Sequence, residues 1–183
     1  MTKTTREEAE AAVKKILEYI GEDTAREGLL KTPYRVAKSF LELTEGYQQD
    51  PQQILSTTFA EACDEMVVVR DIEFWSLCEH HLLPFHGVAT VGYLPRDRVV
   101  GLSKIGRVVQ CFSRRLQVQE KLTQQIANAI MEHLHPHGVG VIVKASHQCM
   151  AMRGVKSPAE MVTSCLLGQF RDPATRAEFL SFR

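Results

Sequence analysis

The chain has 183 residues, with 22 Lys+Arg against 22 Asp+Glu for a formal net charge of zero, and it is 44% hydrophobic and 24% charged. That composition fits one globular domain with at most a helical annex, and it excludes a disordered chain or a small disulfide-stapled scaffold. No apolar run approaches the ~18 residues of a membrane span, no signal-peptide core follows the N-terminus, and a neutral chain offers no overall field to attract a nucleic-acid backbone. A cytoplasmic protein that binds neither membrane nor nucleic acid is therefore expected.

Thr5 and Glu8 form a capping box, and Ala9, Val13, Ile16, Leu17 and Ile20 then recur at helical spacing up to Gly21. Thr32 and Pro33 read as the N-cap and first position of a second helix, with Val36, Ala37, Phe40 and Leu41 on one face and Gly46 as its stop. From residue 65 the period changes. Residues 66–69 and 72–75 predict a strand, 87–94 a second, and 98–102 a short third. A helix opening at Ser103 carries Ile105, Val108, Val109 and Phe112, and the next carries Val118, Leu122, Ile126, Ile130 and Leu134 before Pro136. The β-branched stretch 139–145 and residues 161–167 return to strand, and Asp172 caps a closing helix with Phe179 and Leu180.

The order of helices, then ββααββ, then a helix predicts an α+β fold, with residues 1–62 as a helical region and 63–183 as the catalytic domain. Four main strands with helices on one face leave two open sheet edges. A homo-oligomer that continues the sheet is the economical way to cover them. A partial glycine fingerprint at 138–140 lacks its third glycine and runs into a strand, and neither a P-loop nor a G-x-S-x-G elbow is present.

Five cysteines, at 63, 78, 111, 149 and 165, include no C-x-x-C pair. For each, burial as a small hydrophobe is the ordinary reading. Cys78-Glu79-His80-His81, however, ends a predicted strand, where a turn lets Cys78 and His81 converge on one ion. His147-Gln148-Cys149 reads as extended, so that His147 and Cys149, with Arg153 at the same parity, share a face. If the clusters meet, Cys78, His81 and Cys149 form a Cys2His site. Three ligands and an open position are the catalytic type, whereas a structural site would recruit His80 or His147 as a fourth. Thiolates select zinc over magnesium or calcium, and zinc lowers the pKa of bound water to about 7. His80 and His147 are then placed to move protons.

Ser103, Lys104 and Arg107 open a helix directly after a strand, so free N–H groups, the helix dipole and two cations converge as at phosphate sites. The ordinary alternative is an N-cap serine with two solvated cations. Arg153 and Arg35 are candidates to join the cluster, Arg35 because a cation in the first turn of its helix opposes the dipole. Glu120, beside Gln119, either complements the dipole of its own helix or, with the carboxamide, reads the donor edge of a purine.

Cys-Glu-His-His at 78–81, Gly-Leu-Ser-Lys at 101–104, Gln-Val-Gln-Glu at 117–120, Leu-Thr-Gln-Gln-Ile at 122–126 and His-x-Cys-x-x-x-Arg-Gly at 147–154 resemble GTP cyclohydrolase I in order and spacing. The resemblance implies the tunnelling fold, a barrel completed by oligomerisation, typically a homodecamer with active sites between subunits. It implies that Cys78, His81 and Cys149 hold Zn2+ and that His80 and His147 are the acid/base pair. Ser103, Lys104, Arg107, Arg153 and Arg35 would hold the GTP triphosphate, and Gln119 and Glu120 would face the guanine. Water would open the imidazole ring at C8 while His147 protonates N7, formate would leave, and rearrangement would give 7,8-dihydroneopterin triphosphate, a first step toward folate or other pterins. A nitrile reductase relative and a non-enzymatic zinc-stabilised assembly are the alternatives. The full Cys78/His81/Cys149 set disfavours the first, and Lys104, Arg107 and Arg153, which it leaves without purpose, disfavour the second. Gly106, Lys121 and His86 depart from the family pattern without touching these roles.

Overall fold

The computed structural model describes residues 4–61 and 63–182. The chain forms two compact units, Met1–Thr44 and Glu45–Arg183. In the first, α1 (Arg6–Tyr19) starts with the predicted capping box: the Thr5 side chain accepts from the Glu8 N–H, and the Glu8 carboxylate accepts from the Thr5 N–H. α1 packs on α2 (Thr32–Leu43). Thr32 is the first helical residue of α2 rather than its cap: Lys31 precedes the helix, and the Thr32 hydroxyl turns back to the Gly28 carbonyl.

The second unit holds α3 (Pro51–Leu55), β1 (Thr58–Phe59), β2 (Val67–Cys78), β3 (Pro84–Leu94), β4 (Val99–Val100), α4 (Leu102–Ser113), β5 (Leu116–Gln117), α5 (Gln119–Leu134), β6 (Gly138–His147), α6 (Gln148–Ala151), β7 (Glu160–Gly168) and α7 (Pro173–Ser181). Its boundary falls ahead of residue 63 because the segment after Thr44 packs beneath α4: Gly46 is buried so close to the Cys111 and Arg114 carbonyls that a Cβ would lie 2.2 Å from the former. Gly46 therefore allows a close approach and does not end α2, which already stops at Leu43.

The main sheet runs β5-β2-β3-β6-β7, antiparallel except for the short parallel β5–β2 pair. Strand alternation puts Phe85, Ala89, Val91 and Tyr93 of β3 and Val139, Val141, Val143 and Ala145 of β6 on one face, against Ile105, Val108 and Val109 of α4 and Leu122, Ile126 and Ile130 of α5. In β2 the core residues change parity, from Val67 and Val69 to Ile72 and Phe74. A bulge at Arg70 and Asp71, with Asp71 at φ 58°, absorbs the shift and keeps both apolar runs on the core side. On the opposite face, α7 and the turn before it seat Phe170 and Phe179 over Gly92 and Gly140.

β1 and β4 pair apart from the main sheet. The Arg98 guanidinium donates to the Thr58 hydroxyl and carbonyl, and the Val100 N–H donates to the Tyr93 hydroxyl. These bonds fix where α4 begins. Among the described residues no helix is long and apolar enough to cross a membrane.

Candidate metal centre and active site

β2 ends at Cys78, and the turn behind it is held from two sides. The Leu82 N–H returns to the Cys78 carbonyl at 2.8 Å with Leu82 at φ 55°, and the Glu79 N–H donates to the Gln117 carbonyl of β5 at 3.0 Å. Cys149 arrives differently from its expected place. β6 stops at His147, and residues 148–151 form the single helical turn α6, so the shared-face parity of an extended strand does not apply. His86 lies in β3 and stacks on its cross-strand partner Trp75, with ring centroids 4.3 Å apart.

Cys78, His81 and Cys149 converge, their ligand atoms all within 4.8 Å of one another. The donor set fits a soft divalent cation. Burial and the neighbouring Cys78 sulfur push the Cys149 thiol above its ordinary pKa, and Arg153 only partly opposes this. Two thiolates brought together in this way need a positive charge between them. Arg153 donates to His81 Nε2 at 3.2 Å, and His81 Nδ1 lies 3.9 Å from the Cys78 sulfur. His80 Nδ1 lies 3.9 Å from the Cys78 sulfur, and its ring stands nearly perpendicular to that of His81.

His147 is half-buried at the end of β6. Its ring stacks flat on Phe85, its cross-strand partner, with centroids 4.6 Å apart and planes 4° from parallel. Burial lowers its pKa below the usual histidine value, and the Glu120 carboxylate partly counters this. Glu120 itself is exposed in the first turn of α5. Gln119 is not: it is 1% exposed, and its carboxamide is committed to His147, Val143, Met161 and Thr163. A direct guanine contact from that side chain does not fit these bonds.

Ser103, Lys104 and Arg107 lie in the first turns of α4, whose N-terminus has Gly101 as its cap and no side-chain capping bond. Ser103 is therefore inside the helix and does not cap it. Neither Lys104 nor Arg107 has an acidic partner among the described residues, so their charges stay available to an anion. No hydrogen bond among the described residues joins them to the Cys78–His81–Cys149 cluster. Arg35 lies on α2 in the other compact unit, beside a surface hollow lined by Glu27, Gly28, Leu30 and Lys31. Spacing did not point to Phe85, the flat platform under His147. The antiparallel register that places residue 85 opposite 147 is the signal that finds it.

A model of the GTP cyclohydrolase I family matches residues 9–183. The chain belongs to the GTP cyclohydrolase I family. The GTP cyclohydrolase 1 of Wolinella succinogenes is 54% identical over 174 residues, which cover 93% of each chain. That of Leptospira biflexa is 57% identical over 174 residues, 93% of this chain and 95% of its own. The GTP cyclohydrolase 1 of Dictyostelium discoideum is 54% identical over 175 residues, 94% of this chain and 75% of its own. Among solved structures, an archaeosine synthase QueF-Like in the apo form matches 57% of this chain and 95% of its own, with 18% identity and a TM-score of 0.45.

Proposed function

We propose that this chain opens the imidazole ring of GTP at C8, releases that carbon as formate and rearranges the remainder to 7,8-dihydroneopterin triphosphate. The convergence of Cys78, His81 and Cys149 from two distant segments is the observation that carries this reading. A closed structural site would need a fourth protein ligand, and the cluster holds three, while His147, one of the two candidates, bonds through Nε2 to Gln119.

Zinc held by Cys78, His81 and Cys149 supplies a Lewis acid beside which water becomes nucleophilic at neutral pH. The protein's own groups do the rest. Lys104, Arg107 and Ser103 at the uncapped start of α4, with Arg153 and Arg35, hold the triphosphate by charge and by free backbone N–H groups. Glu120 accepts from the guanine N–H donors. His147 gives a proton to N7 as water adds at C8, and the ring opens to a formamide that still carries the C8 carbon. His80, next to the metal ligands, serves the second hydrolysis that frees formate. The opened ribose and the amine then close the pterin ring.

The chemistry resides in residues 63–183, with 1–62 as the helical region. The family resemblance supports active sites completed between subunits of a homo-oligomer, typically a decamer. Reduced thiol ligands suit the cytoplasm. Incubating the zinc-loaded protein with GTP and oxidising the product should give pterin fluorescence. A zinc-loaded protein that yields none would sink this reading.

A further inference from the structure

Gln119 begins α5, and its side chain crosses behind the ends of β6 and β7. Its Nε2 lies 3.0 Å from the Val143 carbonyl, 3.0 Å from the Met161 carbonyl and 3.1 Å from the Thr163 hydroxyl. Two of these three groups are backbone carbonyls, which only accept, so the nitrogen of the carboxamide must face them and the oxygen must face away. The hydroxyls agree. Thr123 donates to the Gln119 carbonyl at 2.8 Å, so in the 2.7 Å Thr123–Thr163 contact the Thr163 hydroxyl donates and its oxygen is left to accept from Gln119.

The oxygen that faces away lies 2.7 Å from His147 Nε2. A carboxamide oxygen only accepts, so Nε2 must carry a hydrogen. With Phe85 against one face of the ring, both the plane and the tautomer of the imidazole are set. No hydrogen bond among the described residues engages Nδ1.

We infer that Gln119 is a positioning residue: its oriented carboxamide holds His147 as the Nε2–H tautomer and leaves Nδ1 as the nitrogen that exchanges protons with the nucleotide. This rests on the proton-donating role given to His147 above. Nε2–H stays on Gln119 and Phe85 covers one face, so the ring offers its Nδ1 edge to the nucleotide. Sequence reasoning put Gln119 on the guanine, whereas this arrangement puts it behind the histidine.

Nitrogen-15 solid-state NMR of the zinc-loaded full chain, labelled at histidine and with His147→Asn identifying the resonance, reads the tautomer directly. Neutral His147 should show a protonated Nε2 and a bare Nδ1. The opposite tautomer, or an equal mixture, would overturn the inference. In steady-state kinetics Gln119→Met should lower kcat about 10- to 100-fold, the usual cost of removing a group that orients an imidazole, with the KM for GTP and the zinc content unchanged. A Gln119→Met effect confined to KM would contradict a positioning role. If Gln119→Met fails to fold, the NMR result on the unmodified chain still decides. Formate release by the unmodified chain separately tests the reading on which the inference rests.

Discussion

Two thiols and an imidazole held within 4.8 Å of one another are each poor company for the others until a soft cation joins them, and this makes the metal ligands separable from the proton carriers. Cys149→Ala should lose zinc and turnover together, as read by metal analysis and pterin formation. His147→Ala should keep its zinc and lose turnover by about 10²- to 10⁴-fold, the usual range for a general acid. Zinc lost from His147→Ala would favour a closed four-ligand site. Lys104→Ala removes a cation that has no acidic partner among the described residues and should act mainly on the KM for GTP. Unchanged GTP binding would move the phosphate site elsewhere. Cys78 and His81 were legible in the sequence because a three-residue spacing across one turn is local. Cys149 was named for a wrong local reason, since α6 replaces the expected extended stretch. The hydrogen bonds that engage Gln119 were not legible at all, because they depend on how α5 lies across β6 and β7.

At the scale of elements, two glycines make opposite predictions. A Cβ on Gly140 would lie 2.4 Å from Phe170 and 2.7 Å from Phe179, so Gly140→Ala should push α7 off the sheet and cost about 1–3 kcal/mol, measured by urea unfolding. Gly106 lies inside α4, where a Cβ would meet nothing within 4 Å, so Gly106→Ala should instead gain about 0.5–1 kcal/mol from helix propensity. A stabilised Gly140→Ala or a destabilised Gly106→Ala would contradict these packing assignments. The long strands and the helices α4 and α5 could be read from hydrophobic period, because each buries one continuous face. α3, β1 and β5 could not: they have 5, 2 and 2 residues, too few to establish a period, and they are held by neighbours, Asp50 capping α3, Arg98 donating to Thr58 of β1 and the Tyr47 hydroxyl accepting from the Leu116 N–H of β5.

For the whole molecule, zero net charge conceals a local excess of cations at the start of α4, and the edges of the main sheet, β5 and β7, have no further strand among the described residues. If active sites form between subunits, Cys149→Ala chains refolded together with Lys104→Ala/Arg107→Ala chains should regain activity that neither preparation has alone, measured at low GTP. No recovery in a mixed oligomer would place each site within one chain. The central claim, attack at C8 of GTP, is tested most directly by following GTP labelled with carbon-13 at C8 by NMR in the presence of the zinc-loaded protein. The account predicts that the label appears as formate in equal amount to the GTP consumed, with none left in the pterin. Label retained in the purine, or phosphate released in place of formate, would contradict it.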